Sequence, residues 1–192
     1  RNDSKLNYRE EIAAYRPRGE EEAADQALIL SMIEHFPDTV LTRECLAGHI
    51  TSSGFIVNET RDKTLMAWHN IYRSWAWTGG HADGAPDLLA VALREAREET
   101  GILRVSPLSR EIAGLDVLTV PGHVKRGKYV PTHLHLSVSY LLSAPEDQPL
   151  AVKSDENSGV QWIPISEIES YSSEPEMYPV YRKLVERMRK LP

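Results

Sequence analysis

Cysteine is almost missing from this chain: Cys45 stands alone among 192 residues. No intrachain disulfide can form, which excludes a disulfide-stapled scaffold and points to a reducing, cytoplasmic setting. Long apolar runs are absent too, so no segment reads as a membrane span, and the first residues lack the order of a secretory signal. The chain opens on Arg1, so a natural start outside this sequence is expected. Positive charge is in deficit: 22 Lys and Arg against 28 Asp and Glu give a formal net charge of -6. That balance argues against DNA or an anionic membrane as partner, since both call for a basic field. It leaves room for a small phosphate-bearing substrate, because a few local cations or a bound metal can override the average. What is present is 41% hydrophobic content, enough for one well-filled domain.

Three zones follow along the chain. Residues 1–46 read as a helical extension. Leu6, Ile12 and Tyr15 are the sparse apolar marks of a first helix, which Arg16-Pro17-Arg18-Gly19 breaks. A second helix carries Ala24, Leu28, Ile29, Met32, Ile33 and Phe36 and ends at Pro37. Both are too short to bury a core of their own, so they read as a lid or a packing appendage. The second offers an apolar surface through which a homodimer could form. Residues 47–192 read as the main domain. Strands are expected at His49–Val57, Lys63–His69, Ser74–Thr78, Glu111–Val120, His133–Leu142 and Gly159–Ile163. One long helical pattern lies among them, and a C-terminal helix carries Met177, Val180, Tyr181, Leu184, Val185 and Met188. Mixed strands with helices outside them make an α/β layered domain.

The helix among the strands carries most of the chemistry. Leu89, Ala92, Leu93 and Ala96 recur at the spacing a helix turns towards a core. Glu95, Glu98 and Glu99 fall at i, i+3 and i+4, so three carboxylates converge elsewhere on the same helix. Gly101 follows as a helix stop, and Gly79-Gly80 leads in from Trp75-Ala76-Trp77-Thr78. Carboxylates this close repel one another, and a divalent cation with oxygen ligands offsets the repulsion most simply. Magnesium is the expected ion, with manganese as the substitute.

The stretch from Gly80 to Ile102 resembles the Nudix box of the Nudix hydrolase family. Gly80 takes the opening place, and Arg94-Glu95-Ala96-Arg97-Glu98-Glu99-Thr100-Gly101-Ile102 fits the second half of the pattern. One position departs from it: Pro86 stands where an early glutamate is expected, and Asp83 or Asp87 could supply a carboxylate from nearby. The resemblance implies a Nudix-like α/β/α sandwich with a mixed sheet, an N-terminal helical extension and a C-terminal helix. It also implies Gly80, through its carbonyl, together with Glu95, Glu98 and Glu99 as metal ligands. Arg94 would brace the glutamates, and one of the acids would serve as proton acceptor. The Ser154–Ser158 loop resembles the acidic loop that supplies a further glutamate in many such enzymes; Glu156 is the candidate there.

Other features sort less sharply. The loop from Gly122 to Tyr129 gathers Lys125, Arg126 and Lys128, as a phosphate clamp or as an ordinary charged hairpin tip. His133 and His135 share a strand face with Ser137 and Ser139. No acid or cysteine stands at zinc-ligand spacing from that pair, so both histidines read as hydrogen-bonding groups along a cleft wall. His69, Tyr72 and His81 flank the entry to the box, with His81 the candidate substrate contact. Trp75, Trp77 and Trp162 read as packing groups. The expected reaction is hydrolysis of a nucleoside diphosphate linked to a further moiety, by water attack at phosphorus. Two rivals stand beside it. A non-catalytic nucleotide-binding or regulatory module would draw support from Pro86. An isoprenoid diphosphate isomerase would need a thiol beside Gly79-Gly80-His81, and Cys45 lies elsewhere in the sequence.

Overall fold

The computed structural model describes residues 6–192, so the first five residues of the N-terminal extension lie outside it. Ten strands occur in chain order: β1 Gly48–Val57, β2 Lys63–His69, β3 Ser74–Ala76, β4 Thr78–His81, β5 Ser106–Pro107, β6 Gly114–Val120, β7 His123–Lys125, β8 Lys128–Val130, β9 His133–Ser143 and β10 Asn157–Pro164. The helices are α1 Tyr8–Ala14, α2 Glu20–His35, α3 Leu88–Thr100, α4 Ile168–Tyr171 and α5 Tyr178–Arg189. Short 3-10 turns at Ile165–Glu167 and Pro175–Met177 link the last of them.

Eight strands form one mixed sheet around β1. β1 and β9 run parallel, from Gly48 opposite Leu134 to Val57 opposite Ser143. The other pairings are antiparallel. β1 meets β2 near Ile56 and β4 near Ser52, β10 and β3 flank β2, and β5 and β6 flank β9. The single strand expected at Ser74–Thr78 is therefore two. Its first part pairs with β2 and its second with β1, so the backbone changes partner at Trp77. The Gly122–Tyr129 loop is largely the two-stranded ribbon of β7 and β8. Arg126 and Gly127 both hold positive φ at its tip, the tight turn that matches strand twist.

Alternation along β1 and β9 divides the sheet's two faces. Ile50, Ile56, Leu136, Val138, Tyr140 and Leu142 pack with α1, α2 and α3 in one fully buried cluster. On the opposite face, Phe55, Val57 and Leu141 pack with Val180, Tyr181 and Leu184 of α5. Burying each such side chain contributes roughly 1.5–3 kcal/mol. The remainder of that second face carries His49, Thr51, Ser53, His133, His135 and Ser137 instead of hydrophobes. A sheet face left polar at one end and covered at the other sets the place of a cleft.

Helix α2 reaches the core by a face the apolar pattern does not pick out. Ile29 and Ile33 are buried as expected, but Leu28 and Phe36 are exposed, and the buried row begins with Glu22. The Glu22 carboxylate accepts hydrogen bonds from Arg187 of α5 at 3.0 Å and from Lys183 at 2.8 Å. Arg187 also donates to the Ala113 carbonyl and to the Tyr15 hydroxyl. The extension is thus joined to the C-terminal helix by a buried ion pair as well as by hydrophobic contact.

Candidate active site

Helix α3 starts at Leu88. Asp87 is its N-cap, accepting from the Ala90 N–H at 3.1 Å, so Pro86 lies in the preceding loop and is exposed. At the far end Gly101, at φ 79°, closes the helix in the left-handed conformation. Leu88, Leu89, Ala92 and Ala96 hold α3 against the sheet. Its register then turns Glu95 and Glu99 inward, 9% and 8% exposed, while Glu98 stays nearer solvent.

Gly80 of β4 sits directly against Glu95. A Cβ at that position would lie 2.6 Å from the Glu95 carboxyl carbon, so only glycine permits the approach. The Gly79 N–H donates to a Glu99 carboxylate oxygen at 3.1 Å. Glu156, in the loop before β10, completes a cluster: carboxylate oxygens of Glu95, Glu99 and Glu156 all lie within 4.8 Å of one another. Lys153 was not singled out by sequence reasoning. Its ammonium group lies 3.1 Å from Glu156 and 3.8 Å from Glu98, tying the fourth acid to the group. Arg94 reaches Glu95 through one guanidinium nitrogen at 3.5 Å. Asp83 points elsewhere, paired with Arg43 at 3.1 Å and half exposed. Glu156 thus joins the cluster and Asp83 does not.

The electrostatics follow from that crowding. Burial, then the charges of Glu98 and Glu156, raise the Glu95 carboxyl above the ordinary range. Glu99 is raised further: burial dominates, the Gly79 N–H partly opposes it, and Glu95 and Glu156 add to it. Burial works against the Lys153 ammonium, but Glu156, Glu95 and Glu98 outweigh it and hold the group charged.

These residues line one end of a cleft of about 1660 Å³. The β7–β8 ribbon brings Lys125, Arg126 and Lys128 to its wall, and Arg43, His69 and Tyr72 line it as well. The His69 and Tyr72 rings lie 4.4 Å apart. Trp77 packs edge-on to Tyr181 and Trp75 edge-on to Trp68, so these tryptophans act as packing groups. His81, His133 and His135 lie together on the cleft wall with His49, which the sequence pattern did not single out. Burial lowers His49, His81 and His135, and charge from neighbouring rings and Arg43 adds to it; His81 falls to about 3 and His135 to about 2. His49 went unnoticed because its partners come from β4 and β9, strands distant in sequence.

Residues 48–188 match the profile of the NUDIX domain. The m7GpppN-mRNA hydrolase NUDT17 of Xenopus laevis is 38% identical over 82 residues, which is 43% of this chain and 25% of that protein. The matched region thus spans about a quarter of that relative's length. A NUDIX-family hydrolase from Clostridium perfringens shares the fold with a TM-score of 0.52 at 21% identity, over 73% of this chain and 97% of that one. The Nudix hydrolase RenU from M. smegmatis has a TM-score of 0.53 at 13% identity, over 76% and 89% of the two chains. A C. elegans Ap4A hydrolase has a TM-score of 0.51 at 16% identity, over 73% and 97%.

Proposed function

The chain belongs to the NUDIX family, and from that premise we propose that it is a magnesium-dependent pyrophosphohydrolase acting on a nucleoside diphosphate linked to a further moiety. The observation that carries this reading is the meeting of Glu95, Glu99 and Glu156 within 4.8 Å at one end of the cleft, against the bare backbone of Gly80. Glu95 and Glu99, raised first by burial and then by the charge of neighbouring carboxylates, are donors that a hard divalent cation relieves, so the residues fit the metal. Glu95, Glu99, Glu156 and the Gly80 carbonyl would hold it, with Glu98 alongside. When bound, the ion neutralises diphosphate charge and makes a coordinated water more acidic.

The chain's own groups do the rest. The Gly79 N–H fixes the Glu99 carboxylate, and Arg94 steadies Glu95. Glu98 reaches solvent beside Lys153 and is the carboxylate placed to accept a proton from the attacking water. Lys125 and Arg126 on the ribbon supply positive charge for the phosphates, with the histidines on the cleft wall available to the rest of the substrate. The names of the similar proteins, an mRNA-cap hydrolase and an Ap4A hydrolase, support a substrate with nucleotide on one side of the phosphate chain.

A panel of capped nucleotides, dinucleoside polyphosphates, nucleotide sugars and nucleoside triphosphates, incubated with magnesium, tests the proposal. Release of phosphate-bearing products from at least one class, lost with chelator, is expected. Binding without cleavage across the panel would instead favour the non-catalytic nucleotide-binding module.

A further inference from the structure

A second constellation lies apart from the carboxylates. Successive residues of β4 point to opposite sides: Gly80 meets Glu95, and His81 meets His49 of β1 and His135 of β9. His49 and His135 stand opposite each other in the parallel β1–β9 register, and one ring nitrogen from each of His49, His81 and His135 lies within 4.8 Å of the other two. His133 packs on the same group, its ring 4.9 Å from that of His49 and 5.2 Å from that of His135.

The hydrogen bonds decide what such a group attracts. Nδ1 of His49 lies 3.2 Å from the Cys45 carbonyl, and Nδ1 of His133 lies 2.9 Å from the Pro131 carbonyl. A carbonyl only accepts, so both Nδ1 atoms carry a proton, and in the His49 ring, which burial keeps neutral, Nε2 presents a lone pair. His49 is 6% exposed, and its Nε2 has no hydrogen-bond partner among the described residues. The same holds for Nε2 of His135 and for the hydroxyl of Ser137, two residues along the same face. A buried ring nitrogen with a free lone pair repels a phosphate and invites a cation. Imidazole whose second nitrogen is anchored to a backbone carbonyl is the usual zinc ligand arrangement.

We propose that His49, His81 and His135 form a binding site for a borderline transition-metal ion, zinc above all, distinct from the carboxylate site. Three nitrogens around one zinc ion stand roughly 3.4 Å apart at Zn–N distances of about 2.1 Å, so side-chain shifts of about an ångström close the site. Tetrahedral zinc takes one ligand more, which water from the cleft can supply. The pattern is invisible in sequence because each ligand comes from a different strand. It goes beyond the hydrolase reading and stands or falls separately from it.

The test is zinc binding at equilibrium in excess magnesium, with cobalt(II) as the spectroscopic substitute. The full chain should retain one zinc per chain, and its cobalt form should show the strong visible absorption of a tetrahedral site. Glu99→Gln should leave both unchanged. His81→Ala and His135→Asn should each weaken zinc binding by at least ~100-fold, the upper end of what loss of a supporting partner alone costs. Circular dichroism checks the fold. Should His135→Asn fail to fold, His81→Ala decides alone, since His81 lies at the edge of the sheet on β4. No zinc retained by the unmodified chain, or equal retention in folded His81→Ala, overturns the proposal.

Discussion

At the residue scale, the glutamates of α3 do different work despite their even spacing. Glu99 is buried and fixed by Gly79, whereas Glu98 is half exposed beside Lys153. Glu99→Gln should therefore weaken magnesium binding and slow turnover by at least ~10²-fold, as expected on losing a group that stabilises transition-state charge. Glu98→Gln should lower kcat by ~10²-fold or more with a smaller change in the magnesium requirement, the mark of a lost proton acceptor. Metal titration of steady-state rates separates the two, and equal behaviour of both variants would contradict the division. Glu22 offers a second residue-scale prediction. Burial alone would raise its carboxyl, but hydrogen bonds from Arg187 and Lys183 prevail and hold it at about 2. Because the folded value lies below the ordinary 4.5, its contribution to stability is present in full above that pH and is lost as pH falls towards 2. Glu22→Gln should remove that acid-sensitive part and destabilise by about 3–5 kcal/mol, since Arg187 is left buried without its counter-charge. Denaturant melts of both proteins from pH 7 down to pH 3 check the sign. Glu95, Glu98 and Glu99 were legible in the sequence because one helix sets their spacing. Glu22 was not, because a buried acid on an apolar face looks like solvent-facing polarity until its partner on α5 is known.

At the scale of elements, the loop before α3 replaces an expected carboxylate with an exposed proline. The structure brings Glu156 to the acid cluster from the loop ahead of β10. Pro86→Glu should accordingly be near-neutral in turnover and in magnesium requirement, while Glu156→Gln should cost ~10²-fold. A gain from Pro86→Glu that vanished in a Glu99→Gln background would show that the early carboxylate acts at the same ion after all. Strands β1, β2, β9 and β10 were readable because each is a short run rich in β-branched, aromatic and other apolar residues. The break between β3 and β4 was not, since apolar content continues through Trp77 while the hydrogen-bonding partner changes. Helix α3 was readable to within a residue or two, its true start being set by the Asp87 cap. The histidine group escaped because it is made by strand register, and register between β1 and β9 has no local signature across some eighty intervening residues.

At the scale of the whole molecule, the NUDIX match begins at residue 48, yet the core does not stop there. Ile12, Ile29 and Ile33 from the extension are buried in the same cluster as Ala92, Ala96 and Leu136. Removing residues 1–46 would expose that surface and strip Arg187 of Glu22. The shortened chain should lose cooperative thermal unfolding and bind a hydrophobic dye such as ANS, whereas a sharp melt near that of the full chain would mark the extension as dispensable. Water attack at phosphorus beside the carboxylate cluster leaves a direct trace in oxygen-18 water. With magnesium and a nucleotide that the chain consumes, one oxygen-18 atom should appear in a phosphate-bearing product, read by mass spectrometry, and Glu99→Gln should form that product at least ~10²-fold more slowly. Product formed without label at phosphorus, or formed as fast by Glu99→Gln, would contradict this mechanism.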